Sequence, residues 1–152
     1  MSVKTAFKTD ENKLTRCLPT DFLDEAIAVM IDAGRNAVAV IEAGNHLAGI
    51  LTDHDVIRAV HACQSKHKDI SCEHVSDWMS KKVITCSTET KLTGALKIMG
   101  KNNIRHLIVT DQNLPVALVS IRDILSKIHQ NDELEVNVLR DIAMMSRAAL
   151  VA

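Results

Sequence analysis

AVAVIEAGNHLAGILTDHDVIRAV (residues 37–60) and HLIVTDQNLPVALVSIRDILSKI (residues 106–128) are two versions of one segment. A self-match at fixed spacing reveals architecture ahead of local propensity, because each copy is one unit of supersecondary structure. Thr52 and Asp55 fall opposite Ser120 and Asp123 at an offset of 68, whereas Ala26 and Met30 fall opposite Ala95 and Met99 at an offset of 69. The second copy is therefore one residue shorter, and its hairpin loop is where such a deletion is tolerated.

Working outward, both copies carry the same signals in the same order. A short apolar segment (around Arg16–Leu18, and Val83–Cys86) precedes a helix with an apolar face at Leu23, Ala26, Ile27 and Met30, or at Leu92, Ala95, Ile98 and Met99. Gly34 predicts where the first of these helices stops. The runs AVAVI and HLIVT are rich in β-branched and apolar residues, and the turn residues EAGN (42–45) and DQN (111–113) separate them from second apolar runs, LAGIL and VALV, so each pair predicts a β-hairpin. A last helix starts at TDHD or SIRD, with Val56, Ile57 and Val60, or Ile124, Leu125 and Ile128, as its apolar residues. The expected fold class is α/β (α+β): two βαββα repeats related by a pseudo-two-fold axis. A half of about 45 residues would bury its own sheet face poorly, so the repeats are expected to pack sheet to sheet.

The divisions this predicts are a loosely held N-terminal arm (1–13), a first repeat (14–61), a polar linker (62–82) ending in Trp78 and Met79, a second repeat (83–129) and a C-terminal amphipathic helix (130–152). In that last helix Leu134, Val138, Ile142, Met145 and Ala149 form a stripe, which Val136, Leu139, Ala143 and Leu150 widen to roughly half the circumference. It either folds back over its own core or forms an interface.

Composition narrows the function. The 152 residues are 47% hydrophobic and 24% charged, enough for a real core, and the net charge of −1 leaves no basic surplus for a nucleic-acid backbone. With no Tyr and a single Trp there is no stacking platform for single strands either. No apolar run approaches the roughly 20 residues that span a bilayer, and the N-terminus is polar. No membrane association is expected. Cys17, Cys63, Cys72 and Cys86 read as reduced thiols in that context, and the expected location is the cytoplasm.

The motifs GILTDHD (49–55) and ALVSIRD (117–123), with NIRHLIVTD (103–111) before the second, resemble the CBS-domain family over roughly residues 14–128. That resemblance implies clefts between paired repeats that hold adenosine-type ligands, the aspartate contacting the ribose hydroxyls and the Thr or Ser lying near ribose and phosphate. Carried onto this chain, it marks Thr52, Asp55, Gly49 and Asn36 in copy one, and Thr85, Arg105, His106, Ser120, Arg122 and Asp123 in copy two. The chemistry is sound, because a carboxylate accepts both donors of a cis-diol and the start of a helix favours a phosphate. Gly49 would let the backbone approach a ligand. Thr-x-x-Asp and Ser-x-x-Asp also match a helix capping box, which needs no ligand.

The copies differ. Copy one places Asp53 beside the phosphate position, with Asn36 and Ala37 where copy two has Arg105 and His106, whereas copy two has Ala117 in place of the glycine. Three potential cations, Arg105, His106 and Arg122, favour copy two for a phosphorylated ligand. The expected function is a nucleotide-binding regulatory module, energy- or redox-sensing, that is not an enzyme. Its ligand would be AMP, ADP, ATP, a dinucleotide or an S-adenosyl compound, and its partners a second copy in a homodimer and a regulated protein. The alternative is a ligand-free scaffold with decayed sites. No metal is expected: His61, Cys63, His67, Cys72 and His74 cluster in the linker, but as H-x-C and C-x-H without the usual C-x₂₋₄-C.

Overall fold

A computed structural model describes residues 1–7 and 14–151. The first repeat comprises strand β1 (Arg16–Cys17), helix α2 (Leu23–Ala33), strands β2 (Ala37–Glu42) and β3 (His46–Thr52) and helix α3 (Asp53–Ser65). The second comprises β4 (Thr85–Ser87), α5 (Leu92–Asn102), β5 (His106–Asp111), β6 (Leu114–Ser120) and α6 (Ile121–Val151). Short helices α1 (Val3–Ala6) and α4 (Val75–Trp78) precede the two repeats. Each repeat has one three-stranded sheet, ordered β1-β2-β3 or β4-β5-β6, with the first pair parallel and the second antiparallel.

Local chemistry repeats with the sequence. Helix α2 ends at Gly34 and α5 at Asn103, both in the left-handed region (φ 62° and 51°) that Gly and Asn enter most readily. Between β2 and β3 lie three residues, 43–45, and between β5 and β6 only two, Gln112 and Asn113. This is the expected one-residue deletion. Both turns use positive φ, at Gly44 and Asn45 or at Gln112 and Asn113, which suits the right-handed twist of the flanking strands. A bulge recurs on both hairpins, after Val40 and after Val109.

Strand β2 is buried on both faces. Val38 and Val40 face α2 and α3 with Leu23, Ala26, Leu51 and Ala59, while Ala37, Ala39 and Ile41 face Ile108 and Leu118 of the other repeat. A strand covered on both sides reads as an unbroken apolar run, which is what AVAVI is. The two sheets meet through this second face, so the repeats do pack sheet to sheet. On α2 and α5 the buried residues are Leu23, Ala26 and Met30, and Leu92, Ala95 and Met99.

Three expectations need correction. Residues 1–7 are not a loose arm: α1 docks on the second repeat, where Val3, Ala6 and Phe7 join Leu92, Ala95 and Met99 in one core. Burying a Val or Phe side chain contributes about 1.5–3 kcal/mol. Residues 8–13 of the expected arm lie outside the described residues. The linker repeats this docking in reverse, since α4 sits on the first repeat with Val75 fully buried. The hydrogen bonds correspond one for one: Val3 N–H to Thr90 C=O (2.8 Å) matches Val75 N–H to Asp21 C=O (2.9 Å), and Leu92 N–H to Met1 C=O (3.0 Å) matches Leu23 N–H to Glu73 C=O (2.9 Å). Each short helix thus crosses to the other repeat.

The third correction concerns the helices. The second repeat's last helix and the C-terminal helix are one continuous 31-residue α6, with no Gly or Pro between Ile121 and Val151 to break it. Only its first two turns pack on the core, through Ile121, Ile124 and Ile128; from His129 to Ala148 every residue is exposed, so the helix does not fold back. The side chains of Ala149 and Leu150, part of the expected stripe, lie outside the described residues. On α3 the buried positions are Asp55, Ala59 and Cys63, leaving Ile57 and Val60 at the surface, as is Leu125 on α6.

Candidate functional site

Both motif aspartates cap the helices they open. The Asp55 carboxylate accepts from Thr52 N–H (2.9 Å) and Thr52 Oγ1 (3.2 Å), and also from Arg58 (3.1 Å). The Asp123 carboxylate accepts from Ser120 N–H (2.9 Å), while Ser120 Oγ accepts from Asp123 N–H (3.1 Å). Strand pairing sets Ala37 beside Thr52 and His106 beside Ser120. The backbone carbonyls of Asn36 and Arg105 take the first N–H of each helix, from Asp53 (2.9 Å) and Ile121 (2.8 Å), so the sequence match of Asn36 with Arg105 is also a spatial one.

Two clefts open where the sheets meet, and each draws on both repeats. Cleft one, about 320 Å³, combines the Thr52–Asp55 corner of copy one with Asn103–His106 of copy two; Ile50, Val83, Ile84 and Ile104 give it an apolar wall. Cleft two, about 210 Å³, combines Ser120–Asp123 with Gly34, Arg35 and Asn36 of copy one. Asp53, Arg105 and His106 line both. Of the expected site residues, Thr52 and Asp55 therefore belong to cleft one, Asn36, Ser120, Arg122 and Asp123 to cleft two, and Arg105 and His106 to the wall they share.

Two expected residues lie elsewhere. Gly49 faces no cleft: a Cβ there would stand 2.7 Å from the Ser80 carbonyl oxygen and 2.8 Å from Met79 Sδ, so its missing side chain admits the segment after α4, not a ligand. Thr85 is exposed on β4 and lines neither cleft. In turn, the sequence reading missed Arg35, whose Nη1 donates to Asp123 Oδ2 at 2.5 Å across 88 residues of chain. Its counterpart by offset is Ile104, so the internal repeat carries no signal for it. The apolar wall at Val83, Ile84 and Ile104 was missed for a similar reason, since its residues read as ordinary core.

Burial raises the affinity of the Asp123 carboxyl for its proton, but the Ser120 N–H and the Arg35 guanidinium outweigh this and hold it below the usual carboxylate range. Burial pushes the His106 imidazole below its ordinary value, opposed by Asp53 and Asp123 and reinforced by Arg105 and Arg35. In each case the unfolded chain binds more protons than the folded one between the two pKa values, so stability falls as pH falls. Replacing His106 with Asn removes one of these groups. The melting temperature of the wild type should drop relative to His106→Asn as pH is lowered from 8 to 5, beginning near the free imidazole value of about 6.5. A constant difference over that range would show that His106 is not desolvated in the fold.

Among the described residues no three His, Cys, Asp or Glu side chains come together as a metal site. The linker cluster is dispersed: Cys63 is on the buried face of α3, while His74 stacks on Phe22 with centroids 4.6 Å apart and bonds Thr20 C=O through Nδ1 (3.0 Å). The cysteines are free, and burial, then Asp21, pushes the Cys17 thiol up to about 12. No helix among the described residues is long and apolar enough to cross a membrane.

The family model described as CBS domain matches residues 11–62 and 75–130. A Methanocaldococcus jannaschii protein, the uncharacterised MJ1404, is 34% identical over 110 residues, which is 72% of this chain and 25% of that one. The chain spans less than two thirds of the length of the first curated relatives it matches. Among solved structures, CBSX2 in complex with AMP superimposes with a TM-score of 0.71 at 18% identity, covering 86% of this chain and 98% of that one. The CBS domain pair of MJ0100, in complex with 5′-methylthioadenosine and S-adenosyl-L-methionine, gives the same TM-score and coverage at 22% identity.

Proposed function

The chain belongs to the CBS-domain family, and from that membership we propose that it is a regulatory module that binds an adenine nucleotide in cleft two and signals through the packing of its two repeats. The observation that carries this reading is the convergence of Arg35, Arg105 and Arg122 on the Ser120–Asp123 corner at the start of α6. A helix start and three guanidiniums suit a phosphate, and Asp123 suits a ribose diol. The AMP bound to CBSX2 and the adenosyl compounds bound to MJ0100 support an adenosine-type ligand, with AMP, ADP and ATP preferred here over an S-adenosyl compound on charge. Energy sensing fits a site of this kind. A thiol-based redox response does not draw support from Cys17 and Cys86, whose burial disfavours the thiolate. The role is binding, not catalysis.

Because both repeats line each cleft, occupancy that favours one packing of the repeats would be passed to a regulated protein or to a second copy of the chain through differential affinity for two states. Isothermal titration of the full chain with AMP tests the reading: saturable binding at one equivalent is expected, and no heat or shift with AMP, ADP or ATP would overturn it. One observation favours the alternative of a ligand-free scaffold. Asp123 is already satisfied by Ser120 and Arg35, so the fold does not require a ligand to complete its hydrogen bonds.

A further inference from the structure

We propose that the two clefts take different classes of adenosine ligand: cleft two one with an anionic 5′ substituent, and cleft one a nucleoside with an uncharged 5′ substituent, Asp53 being the residue that sets the difference. The proposal rests on the nucleotide-binding reading and goes beyond it by assigning the second cleft.

The two helix starts are equivalent in backbone and opposite in chemistry. In α6 the first residue is Ile121 and the second Arg122; in α3 they are Asp53 and His54. Asp53 Oδ1 accepts from the N–H of His54 at 2.9 Å, so a carboxylate of the chain already sits where the start of α3 would receive a phosphate oxygen. The hydroxyls do not make the difference, since Thr52 and Ser120 both bond the aspartate three residues on. Charge follows the same division: the lining of cleft one sets Lys82 and Arg105 against Asp53 and Asp55, and that of cleft two sets three arginines against Asp53 and Asp123. What cleft one offers is the apolar wall of Ile50, Val83, Ile84 and Ile104, on which a purine can lie, and the Asp55 carboxylate for a diol.

The shared wall strengthens the division. Asp53, Arg105 and His106 line both clefts, so two phosphates would compete for one guanidinium, whereas a phosphate in cleft two and a neutral nucleoside in cleft one would not.

The test is calorimetric titration of the full chain with AMP, with adenosine, and with AMP at saturating adenosine. Wild type should bind AMP at one site at least tenfold more tightly than at any second, and adenosine should still bind when AMP fills the first. Asp53→Asn removes the charge while keeping shape, and should tighten the weak second AMP site tenfold or more while changing adenosine binding less than twofold. The reciprocal Ile121→Asp should weaken the strong AMP site by a similar factor. Two equivalent AMP sites in wild type, or an unchanged weak site in Asp53→Asn, would overturn the proposal. If AMP and adenosine compete for a single site, nucleotide binding stands and the division of the clefts fails; if neither binds, the underlying reading fails with it.

Discussion

Replacing Asp123 with alanine should remove most of the rise in melting temperature that AMP confers, while Asp55→Ala should remove less. A ligand that binds only the native state, present at about 100 times its dissociation constant, adds roughly 2.7 kcal/mol. For a chain of this size that corresponds to a shift of roughly 5–10 °C. Asp123 lies in the cleft with three arginines and supplies the acceptor for the ribose diol, and hydrogen bonds to a charged group contribute about 1.5–3 kcal/mol. Asp55 is buried, and its carboxylate takes Thr52 and Arg58.

The increment, not the melting temperature itself, is the quantity to compare. Asp123→Ala also deletes a cap, typically worth about 1 kcal/mol, and leaves Arg35 without this carboxylate, so the free protein will melt lower whatever the ligand does. If Asp123 serves only to cap α6, the mutant melts lower but gains the same number of degrees from AMP as wild type. Scanning wild type and both mutants with and without AMP, ADP and ATP separates these outcomes, and an increment lost only with Asp55 would move the phosphorylated ligand to cleft one.

The full chain should be a homodimer in solution, and truncation after Gln130 should leave a monomer. Beyond that point α6 carries Leu134, Val136, Val138, Leu139, Ile142, Met144 and Met145, each between 48% and 72% exposed. A helix with this much apolar surface facing water lacks the packing that stabilises most helices, and a second copy would supply it. Its charges suit antiparallel self-pairing, with Asp132, Glu133 and Glu135 toward the core end and Arg140 and Arg147, partly offset by Asp141, toward the tip. Fully burying a side chain of this kind contributes about 1.5–3 kcal/mol, so several buried per chain exceed the lower estimates for the cost of association, about 4 kcal/mol. Light scattering over a hundredfold range of concentration reads the result. A truncated chain that remains dimeric would transfer the interface to the exposed Ile57, Val60 and Leu125 of α3 and α6.

What was legible in the sequence was whatever repeats or alternates along the chain. The offset of 69 falling to 68 located the shorter hairpin, and it is the second one that is two residues long. AVAVI, and Leu107–Val109 within HLIVT, announced strands because an unbroken apolar run is what a doubly covered strand requires. Thr52 with Asp55, and Ser120 with Asp123, were readable as caps because a cap is made within four residues. Local patterns of this kind are determined by backbone geometry and survive in any tertiary setting.

What only the tertiary structure decided depends on how the two sheets dock. The Arg35–Asp123 pair joins residues 88 apart that do not correspond in the repeat, and Gly49 turned out to admit the Ser80 backbone where the motif suggested a ligand. The crossing of α1 and α4 to opposite repeats, and the wall of Asp53, Arg105 and His106 common to both clefts, are likewise results of that docking. The physical reason is that apolar burial, which drives the sheets together, is non-directional and leaves no periodic trace of which polar groups it will bring face to face.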